Sequence, residues 1–322
     1  VKNSNNEPYK AIQILPDNYK LPEVASLKDY SHITSKADPY VIPYASGGGY
    51  QAVKADGSLM MPDNDFWKFK DDKNMVYEFS KDAYYPEIST PTDWMGYTFD
   101  VGDKDIEVVT DKINLRGHIT IKGTGSLRIF VTDKYMTTLQ STKNNIQVLP
   151  TRVHAHDEDG NIDNKKLVIA FDTPDSWEKL DANGVNIGIK LPLDIGSGGR
   201  TPISMSIIAK YLDASIAGDA NINILSHGKD SFVEVRNSVG LFSSRLFYLK
   251  EGKIKFVGGY YNGSVIAKNV EIPNAGAGVI ENNEYDNPNF SGFPLEIDFD
   301  GYPSSGNSTL SKLNFDTTRE VD

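Results

Sequence analysis

Beyond Asp105, short runs of β-branched and aliphatic residues alternate with Gly, Asn and Asp along the chain. Apolar and polar positions alternate with a period of two in the clearest runs, which predicts short strands joined by tight turns. Helix is almost absent, apart from one short helix expected at 176–180, after Pro174 and Asp175. Strands are predicted at 106–109, 119–121, 127–131, 146–149, 167–171, 187–191, 203–209, 220–225, 232–236, 253–257 and 264–272.

The first ninety or so residues differ from the rest because they are polar, rich in tyrosine and interrupted by proline. Each proline removes an amide donor and clashes with the preceding turn, so we expect only short strands and loops here. The prolines are Pro8, Pro16, Pro22, Pro39, Pro43, Pro62, Pro86 and Pro91. The tyrosines either form a carbohydrate or protein contact surface or pack half-buried. They are Tyr40, Tyr44, Tyr50, Tyr77, Tyr84, Tyr85 and Tyr97.

An internal repeat favours one all-β architecture over the others. Residues 206–214 share with residues 264–272, 58 positions later, a pattern of Ser, two β-branched residues, Ala and Lys. Such repetition is typical of stacked rungs, in which each unit buries its face against the next. We therefore predict a parallel β-helix or solenoid, with Ile208 and Ile266 at equivalent inward-facing positions. A β-sandwich is the alternative, because short strands at this spacing also suit it.

These patterns divide the chain into three parts. An irregular Pro- and Tyr-rich β region is predicted at 1–96 and a β-solenoid domain at 97–285. Residues 286–322 return to loop composition, with Pro288, Pro294 and Pro303, and are expected to cap the solenoid and end in a frayed tail.

Charge and cysteine content exclude several classes of function. The chain has 44 Asp and Glu against 33 Lys and Arg, a net charge of −11, so we expect no nucleic-acid partner and no attraction to anionic membranes. It has no cysteine, which excludes disulfides, zinc–thiolate sites, iron–sulfur clusters and thiol nucleophiles. We expect no cofactor. The longest apolar run, 167–171, is far shorter than the roughly 20 residues of a membrane span.

One segment has the composition of a metal-binding loop. Asp157, Asp159, Asn161 and Asp163 place oxygen ligands at alternate positions around a glycine, as calcium prefers. The spacing fails the EF-hand register, and a polar hairpin turn also explains the segment. His154 and His156 would share one face of a strand, but no third ligand is evident beside them.

Signals for catalysis are weak. A serine nucleophile would need a Gly-x-Ser-x-Gly elbow, which is absent. The two carboxylates of a glycosidase must face each other across about 5–10 Å. Asp298 and Asp300 would share a strand face, but they lie in a predicted loop region, and such pairs arise by chance in an acidic protein. We therefore expect a protein that is not an enzyme.

The run 113–131, together with the Ser-[Ile/Val]-Ile-Ala-Lys units at 206–210 and 264–268, resembles a known family. It is similar to the β-solenoid domain of Gram-positive type IV pilus-assembly surface proteins, the PilX-like minor pilins, over about residues 97–285. The resemblance implies a non-catalytic, extracellular minor pilin or pilus-associated adhesive subunit, a rigid scaffold that presents a binding surface at the cell surface. Its implied partners are other pilin subunits and a host or matrix protein or carbohydrate.

Members of that family often carry an apolar N-terminal helix that anchors them in the fibre or the membrane. This sequence does not contain such a helix. The resemblance therefore implies that any membrane contact would be made by a helix that is not part of this sequence. Two other functions fit a stacked-rung fold. One is a carbohydrate-active β-helix lyase or hydrolase, which is an analogy of fold alone, and the other is a phage or other surface fibre protein. A groove lined by two or three acids with a Lys or Arg would favour the enzyme.

Overall fold

The computed structural model describes residues 23–64, 66–69, 74–134, 146–195, 203–217, 220–239, 246–262, 264–271, 279–281 and 293–298. Residues 1–22 and the expected tail at 299–322 lie outside the described residues. Within them the chain is almost entirely β, as predicted. Among the described residues, short 3-10 helices span Phe66–Lys68 and Asp175–Trp177.

The described strands follow one another closely along the chain. The N-terminal half contains β1 Glu23–Leu27, β2 Val41–Pro43, β3 Gly49–Gln51, β4 Leu59–Met60, β5 Asn74–Glu78, β6 Ala83–Tyr85, β7 Ile88–Thr90, β8 Gly96–Gly102, β9 Ile106–Thr110, β10 Ile113–Gly123 and β11 Leu127–Val131. The C-terminal half contains β12 Ile146–Ala155, β13 Leu167–Phe171, β14 Leu191–Ile195, β15 Ile203–Ala209, β16 Leu212–Ala217, β17 Ala220–Leu225, β18 Phe232–Val239, β19 Leu246–Asn262, β20 Ser264–Glu271, β21 Val279–Glu281 and β22 Leu295–Asp298.

Strands β4 to β21 form one continuous set of parallel ladders, so the chain coils as a parallel β-solenoid, as predicted. We call each turn of the coil a rung, and three faces can be followed around it. On the first face β4, β7, the start of β10 and the start of β12 pair in succession. On the second face β5, β8 and the second half of β10 do so. The third face carries β6, β9, β11, β13, β15, β17, the start of β19 and the start of β20.

The duplicated unit occupies equivalent positions on the third face. Ile208 pairs with Leu225, Leu225 with Tyr248, and Tyr248 with Ile266, so the two isoleucines stand in one column three rungs apart. The spacing of 58 residues is therefore three turns of the coil rather than one.

The direction in which these isoleucines point was predicted wrongly. Ile207 belongs to the interior of the solenoid, whereas its neighbour Ile208 packs in a second apolar cluster on the outside of the third face. Val24 of β1 and Phe293 belong to the same cluster, and β22 pairs with β1 in antiparallel fashion. We call the antiparallel pair of β1 and β22 the terminal ribbon. Ile208 is fully buried because this ribbon covers it, and Ile266 is half-buried beside the same cluster.

The interior follows the alternation expected of strands with one buried face. Buried and more exposed positions alternate along β10, which turns from the first face to the second at Gly117 with a φ of 77°. Aromatic rings fill the interior near the N-terminal end, where Phe79 makes edge contacts with Tyr77 and Phe99. The later rungs are filled mostly by aliphatic side chains, together with rings such as those of Phe171, Tyr211 and Phe247.

The parallel ladders between strands begin at Leu59, well before residue 97, where the sequence interpretation starts the solenoid. The prolines of this stretch did not prevent it, because Pro62, Pro86 and Pro91 lie between strands, where no ladder hydrogen bond is required. Before the first rung, Tyr44 of the segment that joins strands β2 and β3 makes an edge contact with Phe69.

Three further expectations can be compared with the structure. The strand predicted at 187–191 is wrong, because this segment closes a loop and β14 begins only at Leu191. The expected short helix is a 3-10 turn at Asp175–Trp177, and its Trp177 side chain is buried. The described part of the predicted capping segment, Phe293 to Asp298, packs against the side of the third face rather than across an end of the stack.

Candidate functional site

A groove with a volume of about 670 Å³ lies on the outside of the third face. This volume falls within the roughly 300–1,000 Å³ of small-molecule sites. One wall is the N-terminal segment 26–31, and the floor and the other wall come from the ends of β9, β11 and β13 and from the segments that follow them. The groove is lined by Ser26, Leu27, Lys28, Asp29, Tyr30, Ser31, Val109, Phe130, Thr132, Asp133, Asp172, Thr173, Pro174, Asp175, Lys210 and His227.

The N-terminal wall is attached to the solenoid by charge and by ring stacking. Lys28 Nζ donates to both carboxylate oxygens of Glu107, at 2.8 and 2.9 Å. The ring of Tyr30 stacks on that of Phe130 with centroids 4.0 Å apart. Only 4% of Tyr30 is exposed, and burial raises the pKa of its hydroxyl. The wall is therefore held against the third face by an ion pair and by a ring stack.

The floor is a column of polar side chains at the ends of successive third-face strands. Val131 pairs with Phe171 and Phe171 with Ala209, so the residues that follow them, Thr132, Asp172 and Lys210, stand one above another. Continuing the pairing of β15 with β17 places His227 beside Lys210, and all four side chains line the groove. Because adjacent strands lie about 4.8 Å apart, this column presents one functional group per rung at near-regular spacing.

The charge of one carboxyl group in the groove acts on another carboxyl group. Burial raises the pKa of Asp172, and the negative charge of Asp133, one rung away, raises it further. A carboxyl in such surroundings keeps its proton at a higher pH than an exposed one. The site therefore contains an aspartate suited to donating a hydrogen bond or a proton.

Lys210 connects the floor of the groove to its second wall. Its ammonium forms an ion pair with Asp175 at the start of the 3-10 helix, and its backbone N–H donates to the hydroxyl of Thr173 at 2.7 Å. Burial alone would lower the pKa of Lys210, but the hydrogen bond with Asp175 and its charge outweigh this and raise it. Lys210 therefore stays protonated at neutral pH and fixes the position of the segment that carries Asp175.

A carboxylate next to the groove joins three rungs. Asp111, after β9, accepts hydrogen bonds from the hydroxyls of Tyr84 and Thr132, at 2.5 and 2.7 Å, and from Lys134 Nζ at 2.5 Å. Burial would raise the pKa of Asp111, but the hydrogen bonds from Lys134, Tyr84 and Thr132 outweigh it and lower the pKa. This arrangement orients Thr132 on the groove floor.

The segment proposed as a calcium loop forms a hydrogen-bonded hairpin. Asp157 accepts through Oδ1 from the backbone N–H of Asn161 at 2.7 Å and through Oδ2 from its side-chain amide at 3.3 Å. These bonds, the backbone N–H first, lower the pKa of Asp157. Asp163 instead accepts from the N–H of Lys165. Among the residues that the structure describes, no three His, Asp or Glu side chains are grouped so that they could hold a metal ion.

The other candidate residues from the sequence lie outside the groove. The rings of His154 and His156 do lie together, with centroids 3.9 Å apart, and burial lowers the pKa of both. Asp298 ends β22 opposite Glu23, and Asp300 lies outside the described residues. Of the seven tyrosines, Tyr77, Tyr85 and Tyr97 are buried in the solenoid interior, so they take no part in a contact surface.

Sequence reasoning missed the groove. Its walls come from segments about 140 residues apart, and its polar column is visible only once the rung register is known. A signal was nevertheless present: Thr132-Asp133, Asp172 and Lys210 each directly follow an apolar strand that the pattern identified.

Comparisons with other proteins add no further assignment, because no protein-family model, curated protein sequence or solved structure matches the chain. Within the part of the chain that the structure describes, none of the helical segments has the length and apolar character needed to cross a membrane.

Proposed function

We propose that this protein is a non-catalytic, extracellular binding subunit of the minor-pilin or pilus-associated kind, which acts as a rigid scaffold at the bacterial cell surface. The observation that carries the proposal is the uninterrupted parallel stack from β4 to β21 with a groove on its outer side. A rung is braced by neighbours above and below it, so the stack resists bending and suits a spacer. The groove gives that spacer a place to bind a ligand.

The charge of the chain restricts the partners. A net charge of −11 disfavours bare anionic membranes and nucleic acid, which leaves other pilin subunits and host or matrix protein or carbohydrate. The resemblance to minor pilins supports the pilin partners, and the groove supports a small or chain-like ligand.

Two measurements test this proposal together. Immunogold labelling of the source bacterium with antibody against the purified protein is expected to decorate surface fibres, and a panel of polysaccharides and matrix proteins is expected to show binding without turnover. Labelling confined to the cell interior would contradict the proposal.

A second candidate function is a carbohydrate-active β-helix enzyme. The specific observation in its favour is the pair Asp133 and Asp172 in a groove that also holds Lys210, because two carboxyls with unlike environments can divide the roles of base and acid. Reproducible cleavage of a polysaccharide that is abolished in Asp172→Asn would establish this function and exclude the first. Binding of the same polysaccharide without cleavage would exclude the second.

A further inference from the structure

We infer that the groove binds an oligosaccharide that carries free amino groups, with the ammonium groups facing Asp133 and Asp29. This inference rests on the proposed binding function and specifies the chemical class of its ligand. Three features of the groove support it: the sign of its charge, a floor without an unpaired strand edge, and the hydroxyl groups of its lining.

The groove carries an excess of negative charge. Four aspartates line it, Asp29, Asp133, Asp172 and Asp175, against the two lysines Lys28 and Lys210. Lys210 already pairs with Asp175, and Lys28 pairs with Glu107, which Arg128 also contacts. Because the pKa of Asp172 is raised, the negative charge of the groove at slightly acidic pH comes mainly from Asp29 and Asp133. Concave sites with one sign of charge concentrate ligands of the opposite sign. A cationic ligand is therefore favoured and a uronic-acid polymer is disfavoured.

A metal ion is a poor occupant of this site. Calcium takes six to eight oxygen ligands, usually including several carboxylates. Among the described residues, these aspartates included, no three His, Asp or Glu side chains are grouped closely enough to hold a metal ion. The charge is instead spread along the groove over several rungs, which suits cationic groups spaced along a chain.

A peptide is also less suitable than a sugar. Peptides that bind sheets commonly add a strand to an unpaired edge. The floor offers no such edge, because β11 pairs on one side with β9 and on the other with β13, which in turn pairs with β15. Recognition must therefore come from side chains, and these include the hydroxyls of Ser31, Thr132 and Thr173 beside the carboxylates. Hydroxyls and carboxylates together match the hydroxyls and amines of an amino sugar.

Isothermal titration calorimetry with oligosaccharides of equal length tests the inference. The probes are glucosamine tetramers, N-acetylglucosamine tetramers and galacturonic acid tetramers, with tetralysine as a peptide control, all at a slightly acidic pH and low salt. We expect glucosamine tetramers to bind most tightly and their affinity to fall as salt is added. Equal affinity for the acetylated tetramer would overturn the role of the ammonium group, while the proposed binding function would stand. Tighter binding of tetralysine or of galacturonate would overturn the inference as well.

Matched variants locate the binding. Asp133→Asn is expected to weaken glucosamine-tetramer binding about tenfold, as the loss of one charge-assisted hydrogen bond does. Asp194→Asn, an exposed carboxylate of β14 on the first face, is the control and should leave binding unchanged. Asp133 lies at the surface of the groove, so its replacement should leave the fold intact. If Asp133→Asn nevertheless melts at a lower temperature, Asp29→Asn provides a second test. Equal loss in the Asp194 control, or no loss in either groove variant, would contradict the inference. Fibre labelling without any glycan binding would overturn the inference and leave the pilus proposal intact.

Discussion

Asp133 and Asp172 lie on adjacent rungs of the third face, and the charge of Asp133 adds to burial in raising the pKa of Asp172. The pair exists only because the coil brings the ends of β11 and β13 side by side, with Val131 opposite Phe171. Neither residue is part of a recognisable motif. The solenoid register alone gives them a shared environment.

The raised pKa of Asp172 predicts a pH-dependent stability difference. Because the folded state holds this proton more tightly than the unfolded state, the contribution of Asp172 to stability falls as the pH rises from about 4 through the raised pKa. Asp172→Asn cannot ionise and lacks this loss. Thermal unfolding of both proteins between pH 4 and about 7 should show the variant gaining relative to wild type as the pH rises. A constant difference across this range would contradict the assignment, and Asp194→Asn serves as the exposed control.

Asp111 is predicted to stabilise three rungs at once. Asp111→Asn should lower the free energy of unfolding at neutral pH by about 1–3 kcal/mol, because hydrogen bonds to a charged group are weakened. Since the pKa of Asp111 is lowered in the folded state, its contribution is present above about pH 4 and is lost as the pH falls through the folded pKa. Urea unfolding at neutral and acidic pH measures both effects. The exposed Asp103→Asn should change neither, and an equal effect of the two variants would show that Asp111 bridges nothing.

The terminal ribbon of β1 and β22 covers the third face and makes Ile208 a core residue. Ile208→Ala should lower the free energy of unfolding by about 2–5 kcal/mol, the usual cost of truncating a buried isoleucine. Ile266→Ala, at the equivalent but half-buried position, should cost clearly less. Chemical denaturation of the two variants compares the positions directly. Equal losses would mean that the terminal ribbon does not bury Ile208 in solution.

The repeat allowed the parallel stack and the equivalence of residues 206 and 264 to be predicted, because strand pattern and repetition are local in sequence. The outward direction of Ile208 was not predictable in this way. Ile207 and Ile208 are adjacent and equally apolar, and only the distant contact with β1 and Phe293 gives the second one a buried place. The early rungs were missed for a different reason: their prolines indicated irregular structure, whereas the coil places them at its corners.

The hairpin at 157–163 leads to a prediction about calcium. We expect thermal melts with excess chelator and with millimolar calcium to coincide, because the Asp157 carboxylate is already used by Asn161 and no ligand set is grouped there among the described residues. A ligand that binds only the folded state would raise the melting temperature. A rise of more than a few degrees with calcium, abolished in Asp159→Asn, would establish Asp157, Asp159, Asn161 and Asp163 as a site.

The proposed binding function requires that ligands bind in the groove between segment 26–31 and the ends of β11 and β13. Ser31 is exposed at this groove, so Ser31→Trp should obstruct it without disturbing the core, and Ser46→Trp, in the exposed turn between β2 and β3, is the matched control. The decisive measurement is the affinity of both variants and wild type for the oligosaccharide that binds best in the calorimetric series. We expect Ser31→Trp to lose binding, Ser46→Trp to keep wild-type affinity, and both variants to melt at the wild-type temperature. Undiminished binding by a folded Ser31→Trp would contradict the proposed binding function.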